Sequence, residues 1–138
     1  MDAPATLYRD SEILTAPPAV QVVLLYRGAI RFGRQHLAAL DRGDREVAHR
    51  ASLRCQAIVA GLREALDRRA GPLAVRLDAI YDFVLRRLVE GNVQADPRPT
   101  REALALLEDL LEAWETVARG TRPEAAPPSV SPVVRGAA

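Results

Sequence analysis

Apolar residues along this chain recur at helical spacing. From about Pro18 to Asp41, Val23, Tyr26, Ile30, Leu37 and Leu40 fall three, four, seven and three residues apart, which lays them along one face of a helix with 3.6 residues per turn. Pro18 stands at its first turn, where the missing N–H costs nothing. A second segment, about Asp44 to Ala70, opens on Asp44 as an N-cap and lines up Val47, Ala51, Cys55, Ile58, Leu62, Ala65 and Leu66. The third, about Pro72 to Ala95, again has proline inside its start and carries Leu73, Leu77, Ile80, Tyr81, Val84 and Leu88. Asp96-Pro97 stops it, because the residue before a proline is pushed out of the helical region. In the fourth, Thr100 is the predicted N-cap, Glu102 sits in the first turn, the stripe is Leu104, Leu107, Leu111, Trp114 and Ala118, and Gly120 suits the C′ position.

Segments of this length make helices roughly 30–40 Å long, and connections of about two to five residues force successive helices to be antiparallel neighbours. The pattern therefore predicts an all-α fold: an antiparallel up-down four-helix bundle over residues 18–120. No window of eight alternates apolar and polar cleanly, and no Asn-Gly or Asp-Gly turn joins two β-rich runs, so a strand reading fails. After Gly120 the run Thr-Arg-Pro-Glu-Ala-Ala-Pro-Pro-Ser-Val-Ser-Pro has no periodic apolar face, and a disordered tail is expected over 121–138. Residues 1–17 are too short and proline-bounded for a fifth core helix. Their apolar pairs Leu7-Tyr8 and Ile13-Leu14 are expected to lie over a groove as a lid, with simple terminal packing as the plainer alternative.

Composition narrows the function more than it names it. The chain has 138 residues, 49% of them apolar, enough for one domain with a real core. Its net charge is +1, far from the excess that marks a polyanion binder, and all 19 basic residues are arginine. The single cysteine, Cys55, excludes an internal disulfide, suits a reducing compartment, and falls on a core stripe as a buried thiol rather than a nucleophile. His36 and His49 stand beside arginines with no acid at a triad-like spacing, and surface positions are expected for both. The uncharged stretch from Ile13 to Tyr26 contains two prolines and falls short of the roughly 20 residues a spanning helix needs. The N-terminus lacks the basic start and apolar run of a secretory signal. No phosphate loop and no two Glu-x-x-His motifs, as a di-iron site needs, are present; no cofactor, metal or enzymatic activity is expected.

The order of short motifs is more specific than any one of them. Tyr8, then Ile13, Thr15, Ala16 and Pro18, followed by Leu25-Tyr26 and Gly28-Ala29-Ile30-Arg31-Phe32, resembles the N-terminal signature of the flagellar secretion chaperone family FliS. The run Leu77 to Phe83, with Arg86-Arg87-Leu88, Asn92 and Asp96, is similar to that family's third-helix signature, and Ala113-Trp114 to its closing Ala-Trp. The likeness runs collinearly from about Tyr8 to Ala118. The chain departs from the pattern at Pro17, where the family has serine, at Ala19 and Val20, where it has acids, and at Arg27, where it has aspartate.

This resemblance implies a cytoplasmic chaperone that binds the disordered C-terminal segment of flagellin, preventing early polymerisation and delivering it for type III export. Such a client folds as it binds and needs apolar grooves outside the bundle. Val22, Leu25, Phe32, Leu53, Val59, Leu85, Val89, Leu106 and Leu110 exceed what a minimal core stripe uses; they either widen the core or line such grooves. The candidate client-contact residues are Tyr8, Ile13, Leu14, Tyr26, Leu85, Val89 and Asn92. Tyr26 could equally be a buried ring, Tyr81 is expected to be one, and Asn92 could serve the turn that ends its helix. Other flagellar export components are possible partners, with the chain a monomer or weak dimer. Two competing readings are an Arg-striped nucleic-acid module, suggested by Arg27, Arg31 and Arg34 on one helix face, and a purely structural dimerising bundle. Against the first, the fourth segment is rich in acids that could pair with that arginine face.

Overall fold

The computed structural model describes residues 18–120; the lid expected over 1–17 and the tail expected over 121–138 lie outside the described residues. Four helices follow in chain order: α1 Pro18–Asp41, α2 Arg45–Glu64, α3 Pro72–Gln94 and α4 Pro97–Ala118. Each packs against its chain neighbours, and α4 closes the array against α1, leaving α1 and α3 on one diagonal and α2 and α4 on the other. This is the predicted antiparallel up-down bundle. Its lower end holds the start of α1 and α3 and the finish of α2 and α4; the upper end holds the reverse.

The helix boundaries follow local chemistry. Asp44 caps α2 by accepting from the Val47 N–H at 3.1 Å. This helix was expected to reach Ala70 but ends at Glu64, because Asp67 accepts from the Arg69 N–H at 3.1 Å and turns the chain into a 3₁₀ turn, Arg68–Ala70. The connection between α2 and α3 is correspondingly longer than the others. α4 starts three residues before the predicted cap. Asp96, extended ahead of a proline, accepts from the Arg98 N–H at 3.0 Å, so Asp96 is the N-cap and Thr100 is a buried member of the first turn. Pro97 and Pro99 fit there because those positions need no donor.

Two kinds of packing share this frame. In the lower half the core is large and aromatic. Tyr26 and Tyr81 reach across the α1–α3 diagonal and join their hydroxyls at 2.6 Å, while Trp114 tilts against Tyr26 with ring centroids 6.4 Å apart. Burial pushes the Tyr26 phenol up to about 12 and the Tyr81 phenol up as well, so both stay neutral and one hydroxyl donates to the other. On the outside of the same half, Arg63 of α2 bonds Asp78 at 2.9 Å and Asp82 at 3.0 Å on α3, and Arg68 adds a second bond to Asp78 at 2.6 Å.

The upper half mixes leucines, Leu88 and Leu104, with many small residues. Ala39, Ala48, Ala51, Ser52, Gly91 and Ala103 are buried there. A Cβ on Gly91 would collide with Thr100 Oγ1 and come within 3.0 Å of the Asp96 carbonyl, so only glycine lets α3 and α4 approach so closely. His36, expected at the surface, lies inside this half, because it sits on the inner face of α1 one turn beyond Gly33. Its Nδ1 donates to the Ala48 carbonyl at 2.8 Å, and its Nε2 has no partner among the described residues. Cys55 is fully buried as expected, with burial pushing its thiol up to about 12.

Candidate docking surface

On α3 the residues at 77, 81, 84 and 88 face the core. Leu85, Val89 and Val93 form a second apolar line four residues apart, rotated about 60–140° from Leu88 toward α2 at 100° per residue. Rotated that far from the core face, this line turns outward. Leu85 is half-buried against the core, Val89 is 44% exposed and Val93 is 72% exposed. Together with Arg86, Glu90 and Gln94 they line a shallow, overwhelmingly apolar groove.

The antiparallel register brings α2 into the same face. Arg63 pairs with Asp78 low on the α2–α3 seam, and the Asn92 amide donates to His49 Nδ1 at 2.9 Å high on it. Stepping along both helices between these fixed points sets Leu53, 47% exposed, level with Val89. Among the described residues, three of the four exposed large apolar side chains, Leu53, Val89 and Val93, thus share one end of one seam; the fourth is Val75. A contiguous apolar line on an exposed helix face suits a partner segment better than solvent. Asn92 bridges the helices at its upper edge, so its side chain braces the seam.

The structure sorts the sequence-predicted contact residues. Leu85, Val89 and Asn92 come together here. Tyr26 does not: with no exposed surface and its hydroxyl bound to Tyr81, it is a core ring, as is Tyr81. Tyr8, Ile13 and Leu14 lie outside the described residues. Val22 and Val59, counted as surplus, fill the core, while Leu25, Phe32, Leu106 and Leu110 pack half-buried against it. Val93 was missed; its signal was the continuation of the four-residue step from Leu85 and Val89.

The arginine face of α1 is occupied by its own protein. Arg27 bonds Glu115 at 2.7 Å and Arg34 bonds Glu108 at 3.0 Å, tying α1 to α4. Arg31 lies over the Phe32 ring, 5.3 Å from its centroid. No group of three metal-ligating side chains occurs among the described residues, and none of the described helices is long and apolar enough to cross a membrane.

Comparison with known families agrees with this geometry. The family model described as flagellar protein FliS matches residues 1–121. The chain belongs to the FliS family. Among curated relatives, the flagellar secretion chaperone FliS of Bacillus subtilis is 29% identical over 119 residues, covering 86% of this chain and 89% of the relative. FliSB of Pseudomonas aeruginosa is 32% identical over 111 residues, covering 78% and 86%, and FliS of Salmonella typhimurium is 28% identical over 110 residues, covering 78% and 82%. Against the FliS pattern, the arginine at position 27 gains a local explanation: it is one half of the α1–α4 ion pair with Glu115.

Proposed function

We propose that this chain is a cytoplasmic flagellar secretion chaperone that holds the disordered C-terminal segment of flagellin before export. The observation that carries the reading is the outward-facing line Leu85, Val89 and Val93, with exposed Leu53 level with it on α2, on a bundle of the FliS family. A disordered client docking there as an amphipathic helix or extended segment covers apolar surface that otherwise faces water, and the gain offsets the cost of ordering it. Tyr8, Ile13 and Leu14 join the contact in this reading, from the N-terminal side. Asn92 holds α2 and α3 in register beneath it.

The test is a calorimetric titration with a peptide from the C-terminus of the same organism's flagellin, run beside short duplex DNA at moderate salt. Saturable peptide binding with no binding to DNA is the expected result. Salt-sensitive DNA binding without peptide binding would instead support the nucleic-acid module. That second reading is disfavoured by the ion pairs at Arg27 and Arg34, which already commit two cations of the stripe.

A further inference from the structure

We propose that the chain's own C-terminal tail docks on the α3 stripe through Val130, Val133 and Val134 and competes there in cis with the client. The competition rests on the reading of the stripe as a client surface; the docking stands without it.

Four observations support this occupant. The family match ends at residue 121, so the tail lies outside the shared pattern. Its large apolar side chains are those three valines, set among Pro127, Pro128 and Pro132, and the groove they would enter is lined by Leu85, Val89 and Val93 beside Arg86, Glu90 and Gln94. The tail's charges, Arg122, Glu124 and Arg135, fall outside the 130–134 stretch, so docking it buries no charge. The reach is sufficient. α4 ends at Ala118 at the lower end, where its packed neighbour α3 begins. Val89 lies about 25 Å up α3 at 1.5 Å per residue, and one helix spacing of roughly 10 Å must be crossed. From Gly120 to Val133, a proline-rich extended chain covers about 40 Å at 3.1 Å per residue. The N-terminal segment starts less favourably, because it leaves from α1, which is diagonal to α3.

A proline-rich segment loses little conformational freedom on docking, and a tether of this length holds its local concentration in the millimolar range. A tail with sub-millimolar intrinsic affinity then weakens client binding about three- to tenfold.

The test uses the full-length chain carrying a nitroxide at Ser131→Cys. Cys55 is fully buried and escapes the label. Methyl signals of Leu85, Val89 and Val93 are expected to broaden, and to recover when Val133→Asp and Val134→Asp are added. The same two substitutions, without the label, are expected to tighten binding of the flagellin peptide about three- to tenfold. Absence of broadening on α3, or broadening that the two aspartates leave unchanged, overturns the docking. Broadening that vanishes when labelled chain is diluted into unlabelled chain assigns the stripe to a second copy and also overturns it. Broadening with unchanged peptide affinity overturns the competition alone. Peptide binding by neither chain overturns the client reading, while the label still decides the docking.

Discussion

The lower and upper halves of this bundle solve the same packing problem with opposite materials. Below, two tyrosines and a tryptophan fill a wide interior and charged pairs clamp α2 to α3 outside. Above, glycines on α1 and α3 let α4 approach closely beside buried leucines, and α3 turns a second apolar line outward. The aromatic and ionic anchors are therefore below, and the apolar line open to a partner appears above.

The contrast can be broken or sharpened by substitution. The largest effect is expected at Trp114→Ala, where loss of a buried aromatic costs about 3–5 kcal/mol and lowers the melting temperature by roughly 15 °C or more; a small shift would mean the aromatic cluster is not the anchor. Gly91→Ala comes next. Its gain of about 1 kcal/mol in helix propensity is outweighed by collision with Thr100 and the Asp96 backbone, for a net loss of about 1–3 kcal/mol in chemical denaturation. Tyr26→Phe leaves the Tyr81 hydroxyl buried without its partner and costs about 1–2 kcal/mol, whereas adding Tyr81→Phe should cost little more; additive losses would deny the shared hydrogen bond.

Smaller effects separate clamp from surface. The Asp78 carboxyl is held below the usual carboxylate range, chiefly by the hydrogen bond from Arg63 and then by that from Arg68. A depressed folded pKa means this contribution is present above the unfolded value of about 3.9 and is lost as pH falls through the folded one. Thermal melts across that acid range should show a shallower decline in Asp78→Asn than in the parent chain. Val89→Asp is expected to change stability by no more than about 0.5 kcal/mol, since the side chain faces water, yet to weaken flagellin-peptide binding about five- to 150-fold. A sharp loss of stability there would place the stripe in the core after all.

Periodicity made the helices and their order legible, since Pro18, Asp44, Pro72 and Gly120 mark real boundaries. What it could not weigh was competition between caps. Asp67 and Asp96 each offered the backbone a local alternative, shortening α2 and lengthening α4, and neither is visible in an apolar stripe. The interior of the upper half was also hidden, because the stripes passed over Gly33 and Gly91, where a Cβ would collide with α4, and over buried Ala48 and Ala103. His36 was misplaced for the related reason that its partner is a backbone carbonyl, which no side-chain pattern reveals. At the candidate surface, Leu85 and Val89 were legible as excess hydrophobicity. Tyr26 was not separable from them, because only the diagonal partner Tyr81 decides which way it faces.

Trp114, the chain's one tryptophan, has an optical consequence. It sits 6.4 Å from Tyr26 in the lower half, whereas Val89 and Val93 line the outer surface of the upper half. Emission from that indole will follow the melting of the aromatic cluster faithfully. It will stay nearly silent when a client without tryptophan settles on α3, so a quenching titration would score a binding chaperone as inert while heat or a methyl spectrum records the event.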